Sequence, residues 1–159
     1  MTIFFACDHA GFGLKNALIA HVRALGYETE DMGAHTLDTE DDYPDFITPC
    51  AKKVSEGNAF GIIIGGSGQG EAMAANRVPG VRAAVFYGPK GVSDGLEMEG
   101  GSSKDSYDIV RLARRHNDAN VLSIGARFVS ESEAKEAVRL FLETPFSNAE
   151  RHNRRLAKF

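Results

Sequence analysis

Ala59 to Ile64 is an unbroken apolar run that leads directly into Gly65-Gly66-Ser67-Gly68-Gln69-Gly70-Glu71. A run of that length without polar alternation predicts a central strand covered on both faces, and such strands belong to parallel sheets flanked by helices. The rest of the chain keeps the same rhythm. Further strands are predicted at Thr2 to Cys7, Tyr27 to Asp31, Arg82 to Tyr87 and Asn120 to Ile124. Between them lie helical patterns. Leu14, Ala17, Leu18, Val22 and Leu25 form one stripe, closed by Gly26 where a left-handed cap is expected. A second helix begins near Pro44, and Pro49 either kinks it or marks its start after Thr48. Others cover Gln69 to Val78, ended by Pro79-Gly80, and Tyr107 to His116. Ser130-x-x-Glu133 and Ser147-x-x-Glu150 both read as capping boxes, opening a helix through Leu142 and a last one to the C-terminus. Strands alternating with helices predict an α/β fold, a doubly wound parallel sheet with helices on both faces.

At 159 residues the length fits one domain, residues 1–159. No apolar stretch approaches the ~20 residues needed to cross a bilayer, so no membrane role is expected. Met1-Thr2-Ile3-Phe4-Phe5-Ala6 lacks the basic flank and apolar length of a signal peptide. Cys7 and Cys50 form no Cys-x-x-Cys pair, which suits a reduced, cytoplasmic chain without a disulfide framework or zinc site. A net charge of −4 does not point to nucleic acid. That charge is unevenly spread. Glu28 to Asp45 holds eight acids and no Lys or Arg, whereas the C-terminus carries Arg151, Arg154, Arg155 and Lys158. The simple reading is a solvated acidic loop and a basic last helix that complements its own dipole.

The glycine segment carries the most chemistry. Its glycines let backbone N–H groups turn toward a ligand at a helix start, making an anion cradle. Gly65 and Gly70 have Walker spacing, but Glu71 stands where a triphosphate site needs Lys. No register supplies the Gly-x-Gly-x-x-Gly of a dinucleotide site. What remains is a cradle of donors with a carboxylate at its lip. Glu71 in the first turn feels the positive end of the helix dipole, which favours its ionised form. An ionised carboxylate beside donors for an oxyanion, with Ser67 steadying the same oxygen, is what proton abstraction next to a carbonyl requires. Glu71 as merely a favourable N-terminal charge is the other reading.

Other groups are less telling alone. Asp8 reads as the N-cap of the first helix and His9 as a surface residue. His116 ends a helix, on the side of the sheet away from the strand carboxyl ends, where Asp8, Gly65 and Arg127 should gather. Asp38-x-Glu40-x-Asp42 imitates a calcium loop, but Tyr43 replaces the sixth-position Gly and Pro49 the closing Glu. Gly88 to Ser106 holds five Gly and four Ser. It exceeds the ~12–15 residues usual for a structureless connection, so it is a lid or a neutral insertion. In the last helix Arg151 and Arg155 share a face, while Leu156 and Phe159 are nearly its only large apolar residues. Such a helix gains little from its own domain; it either reaches a second subunit, where paired Arg grip a phosphate, or stays exposed.

Several ordered motifs together resemble the type B ribose-5-phosphate isomerase and galactose-6-phosphate isomerase family. They are Cys7-Asp8-His9-Ala10-Gly11, Asp42-Tyr43-Pro44, Gly65 to Glu71 with Ala74-Ala75-Asn76-Arg77, Arg115-His116-Asn117-Asp118-Ala119-Asn120-Val121, Arg127, and Arg151-His152-Asn153-Arg154-Arg155. The resemblance implies a Rossmann-like three-layer sandwich that works as a homodimer, or a pair of dimers, with active sites shared between subunits and no metal or other cofactor. It makes Glu71 the base between C1 and C2; members with a Cys at the position of Gly65 use that thiol instead. Ser67 and the backbone of Gly66, Gly68, Gln69 and Gly70 would hold the enediolate oxygens. His116, with Asn117 beside it, would assist ring opening, and Asp8 would contact sugar oxygens. His9 and Arg127, with Arg151 and Arg155 of the neighbouring subunit, would bind phosphate. The implied reaction interconverts ribose 5-phosphate and ribulose 5-phosphate. The 88–106 insertion, absent from the family pattern, leaves a tetrulose 4-phosphate or hexose 6-phosphate open. A non-catalytic sugar-phosphate binder on the same scaffold would need the Arg residues and the loop but neither Glu71 nor His116.

Overall fold

The computed structural model describes residues 1–91, 96–98 and 101–158. Five parallel strands form the sheet: β1 (Thr2–Cys7), β2 (Glu28–Asp31), β3 (Ala59–Gly65), β4 (Ala83–Phe86) and β7 (Val121–Gly125), in the order β2-β1-β3-β7-β4. Helices α1 (Phe12–Ala24), α4 (Asp108–Asn117) and α5 (Glu131–Glu143) cover one face; α2 (Pro44–Ser55) and α3 (Gln69–Ala75) cover the other. A last helix, α6 (Glu150–Leu156), follows α5.

The strand pleat sorts the side chains. Ile3, Phe5, Cys7, Ile62, Ile64, Leu122 and Ile124 pack toward Leu18, Val22, Val138 and Phe141. Phe4, Ala6, Ile63 and Val121 turn to the opposite face and meet Ile47, Cys50, Ala51 and Val54 of α2. Period-2 alternation with both faces apolar is what made β3 read as one continuous run. α2 begins at Pro44 and runs through Pro49, its inward stripe at positions 47, 50, 51 and 54. Gly26, at φ +90°, closes α1 as expected.

One local reading is corrected. The Ser130–Glu133 capping box is present, but Ser147-x-x-Glu150 is not one: Ala149 is the N-cap of α6 and offers no side-chain bond. Ser147 instead accepts from the Ala149 N–H and pairs through Oγ with His152 Nδ1 at 2.7 Å. His152, only 1% exposed, outcompeted the helix end for that hydroxyl. Part of the 88–106 segment forms a hairpin. Strands β5 (Leu96–Met98) and β6 (Gly101–Ser103) pair antiparallel, and Lys90 N–H donates to Ser106 O at 2.8 Å at the base. Residues 92–95 and 99–100 of that segment, and Phe159, lie outside the described residues.

The sheet order decides where a ligand can sit. From β1 the chain crosses to β2 on one side, and from β3 it moves to the other side, toward β7 and β4. The carboxyl ends of β1 and β3 therefore flank the crevice of the topological switch point. Asp8 and Gly66-Ser67 are the residues that leave those two ends.

Candidate active site

The loop after β3 is fixed before it carries chemistry. Its ladder with β7 extends past the strands, as Ala126 N–H donates to Gly65 O at 2.8 Å and Arg127 N–H to Gly66 O at 3.2 Å. Gly68 turns at φ +75°, a conformation that costs other residues, and the buried Ser123 hydroxyl donates to its carbonyl at 2.6 Å. These bonds anchor the start of α3 to a central strand.

Glu71 projects from the first turn of α3 and is 4% exposed. Its carboxylate lies directly over Gly65: a Cβ built there would stand 1.8 Å from Oε1. Only a residue without a side chain leaves that space. The sequence-based expectation that the helix dipole favours ionised Glu71 is corrected by burial. Desolvation pushes its pKa above the ordinary value, and nearby Asp8 pushes it the same way; hydrogen bonds from the backbone of Glu71 and Gly68 oppose them without prevailing.

Around this carboxylate lies a cleft of about 420 Å³ lined by Asp8, His9, Ala10, Tyr43, Gly66, Ser67, Gly70, Glu71, Arg127 and Phe128. Asp8 caps the turn after β1, accepting on Oδ1 from Ala10 N–H at 3.0 Å and Gly11 N–H at 3.3 Å. His9 is not the plain surface residue of the simpler reading. Its Nδ1 and backbone N–H both engage Asp41 Oδ1, at 2.6 and 3.1 Å. The Arg127 guanidinium lies over Gly66, where a Cβ would stand 3.4 Å from Cζ. One wall is thus acidic and one basic.

Of the residues expected from the sequence, the cleft gathers Asp8, His9, Gly66, Ser67, Gly70, Glu71 and Arg127. Gly68 contributes through its N–H to Glu71, and Gln69 is exposed at the start of α3, outside the lining. His116 and Asn117 are not in this cleft. α4 runs antiparallel to the strands and ends beside their amino ends, where Arg82, just before β4, donates to Asn117 O and Asp118 O. The His116 ring lies 4.3 Å from that of His152 on α6. Arg151 Nε donates to His152 Nε2 at 3.1 Å, which ties the Arg151–Arg155 helix to the same far end. A single chain therefore presents two groups at opposite edges of the sheet. Tyr43, Ala10, Phe128 and Asp41 were missed as site residues. Tyr43 precedes a helix and Asp41 sits among acids, so neither carries a local signal.

Asp8, His9 and Asp41 place three ligand-type atoms within 4.8 Å of one another. The contact between His9 and Asp41 is a hydrogen bond, and a cation would have to open it. For an organic anion the fit is direct, with N–H donors, an imidazole and a guanidinium around one cleft.

Comparison with known proteins identifies the family. The family model described as Ribose/Galactose Isomerase matches residues 3–94 and 102–159, breaking only within the 88–106 segment. Ribose-5-phosphate isomerase B of Mycolicibacterium paratuberculosis is 39% identical over 157 residues, 98% of this chain and 87% of that protein. Probable ribose-5-phosphate isomerase B of Mycoplasma genitalium is 37% identical over 158 residues, 98% of this chain and 91% of that one. The crystal structure of the Mycoplasma genitalium enzyme with bound ribulose-5-phosphate superposes with a TM-score of 0.84 at 36% identity, covering 99% of this chain and 92% of that chain. The Clostridium thermocellum ribose-5-phosphate isomerase B structure gives 0.84 at 35% identity, covering 99% and 94%.

Proposed function

The chain belongs to the ribose/galactose isomerase family, and from that premise we propose that it interconverts ribose 5-phosphate and ribulose 5-phosphate through an enediolate, with Glu71 as the base. The observation that carries this reading is the desolvated Glu71 carboxylate beside the glycine cradle. Desolvation makes it a stronger base than in water, and the N–H groups beside it face the charge that develops on the substrate oxygens. Glu71 takes the C2 proton of the open aldose; the electron pair moves into the C1–C2 bond and onto O1. Ser67 and the backbone of the Gly66 to Gly70 loop hold that oxygen; the C2 hydroxyl gives its proton to O1, and Glu71 returns the proton it took to C1, which leaves the ketone at C2 and a neutral hydroxyl at C1. Asp8 receives a sugar hydroxyl on Oδ2, since Oδ1 is taken by the Ala10 and Gly11 N–H groups. His9 and Arg127 meet the phosphate.

His116, Asn117, Arg151 and Arg155 enter this scheme from a second subunit. Their position at the far edge supports a homodimer, or a pair of dimers, in which each chain completes its partner's cleft. An apolar cavity of about 750 Å³ between the edge strand β4 and α4, lined by Ala84, Phe86, Ile109, Val110 and His116 among others, offers a surface for that contact. On this reading the whole chain is one isomerase unit, cytoplasmic and free of cofactors; its two buried, unpaired thiols agree with a reducing compartment. Among the described residues no helix is long and apolar enough to cross a membrane.

The test is exchange of the C2 hydrogen of ribose 5-phosphate with deuterated solvent, followed by proton NMR. Wild type should exchange it and E71Q should not. No exchange by wild type with any four- to six-carbon sugar phosphate would sink the isomerase reading; equal exchange by E71Q would sink the assignment of the base. A panel of tetrose, pentose and hexose phosphates, compared by kcat/KM, ranks the substrates.

A further inference from the structure

Asp41 belongs to the acidic stretch that composition assigns to a solvated loop, yet its side chain is only 7% exposed. The loop that carries it is tied down by turns: Glu40 N–H donates to Asp38 Oδ1 at 3.0 Å, and Asp45 N–H to Asp42 O at 3.1 Å. One carboxylate oxygen, Oδ1, accepts both the backbone N–H and the ring Nδ1 of His9. The other, Oδ2, is buried without a hydrogen-bond partner among the described residues. A buried carboxylate left half-satisfied is costly unless a cation stands against it. The imidazole of His9, in direct contact, is the group that can become one.

We propose that Asp41 is the positioning residue of the phosphate subsite: it holds the His9 ring by Nδ1–H so that Nε2–H is presented to the cleft, as the imidazolium. This rests on the reading that His9 meets the substrate phosphate. With Nδ1 committed to Asp41, Nε2 is the ring nitrogen left for a ligand. A neutral ring in that tautomer would offer a phosphate a lone pair; only the doubly protonated ring offers it a donor and a charge. The charged groups facing the ring are Asp41 from the acidic loop, Asp8 from the end of β1 and Arg127 from the turn after β7. Their balance, led by the Asp41 hydrogen bond and helped by Asp8, lifts His9 above its ordinary pKa against partial desolvation and Arg127. The backbone N–H and ring Nδ1 contacts to one oxygen together fix the ring's direction, so Asp41 supplies both orientation and charge.

The decisive variant is D41N, nearly the same shape without the charge, with D41A as a second in case the amide refolds the loop. Two measurements are paired. The first is the His9 titration by NMR of histidine-labelled protein without substrate; the inflection should move to lower pH in both variants. The second is kcat and KM for ribose 5-phosphate from about pH 5.5 to about pH 9, a span on both sides of the ordinary imidazole range. KM at pH 7.5 should rise roughly tenfold, the order expected for losing one charge-assisted contact, with kcat within about twofold of wild type. The pH at which KM begins to climb should move down with the NMR inflection. The phosphate of the substrate titrates identically against every variant, so the difference between curves isolates the protein group. An unmoved His9 inflection overturns the proposal, whatever happens to activity. A fall in thermal stability and kcat with an unmoved KM profile also overturns it, because that is what a purely structural Asp41 would give. Wild type that turns over no ribose 5-phosphate would instead sink the isomerase reading, while the NMR titration would still decide whether Asp41 charges His9.

Discussion

Replacing Gly65 by Ala adds a single methyl group at the one place where the proposed base has no room to give. The new Cβ would stand 1.8 Å from Glu71 Oε1, 2.1 Å from Cδ and 2.8 Å from Oε2. Ordinary contact begins near 3.4 Å, so the carboxylate must retreat by about 1.6 Å. It would leave the N–H groups of Gly68 and Glu71 behind. A misplacement of about 1 Å at a reacting group costs on the order of 100-fold in rate, so kcat in G65A should fall by about that factor or more. KM should change little, because His9, Arg127 and the phosphate end of the cleft are untouched. The fold should survive: Gly65 sits at the end of β3 with no left-handed backbone angle, and overpacking of this size costs about 1–3 kcal/mol. In a chain of this size each kcal/mol corresponds to roughly 2–4 °C in Tm. Steady-state kinetics and thermal denaturation of G65A, E71A and the double variant form the assay. The double variant should be no slower than E71A and more stable than G65A, since removing the carboxylate vacates the space. If G65A keeps kcat within about threefold of wild type, Glu71 does not act from the position described.

Further outcomes follow from the same geometry. Because burial raises the Glu71 pKa, the ionised base is lost as pH falls through a value above the ordinary 4.5, and the acid limb of kcat/KM should lie there. The sign for stability is opposite: protonated Glu71 stabilises the fold at low pH, and that contribution disappears as pH rises through the raised pKa. E71Q should therefore unfold at a higher temperature than wild type at pH 7.5 while failing to exchange the substrate proton. S123A removes the buried donor to Gly68 O, and should cost about 1–3 kcal/mol by calorimetry; an unchanged Tm would show that the loop does not depend on that bond. R155A should chiefly raise KM, and a large fall in kcat alone would contradict a phosphate anchor. Mixing inactive E71Q with inactive H116A chains should restore activity through mixed dimers carrying one intact site; absence of recovery after subunit exchange would refute shared sites.

Much of the fold was legible because each element announces itself locally. β3 is apolar on both faces, Gly26 sits where α1 must stop, and Ser130 and Glu133 satisfy each other across one turn. Half of the site was legible for the same reason, since Asp8-His9 and Gly65 to Glu71 lie at consecutive strand ends of a parallel sheet. What escaped depends on contacts between distant segments. Nothing near Asp41 in the chain indicates that one of eight acids is buried against His9, 32 residues away. The direction of the Glu71 pKa shift escaped the sequence because helix position is visible there and desolvation is not. Ser147 reads as a cap from spacing alone, and only the buried His152 ring shows why its hydroxyl goes elsewhere.

α4 delivers His116 to the amino edge of the strands while α3 begins at their carboxyl edge. If the two halves meet only across a subunit interface, a correctly folded solitary chain has no complete catalytic centre. Specific activity then becomes a function of enzyme concentration. Dilution below the dissociation constant of the pair would silence the enzyme reversibly without unfolding a single helix, and substrate bridging the two halves would itself hold the pair together.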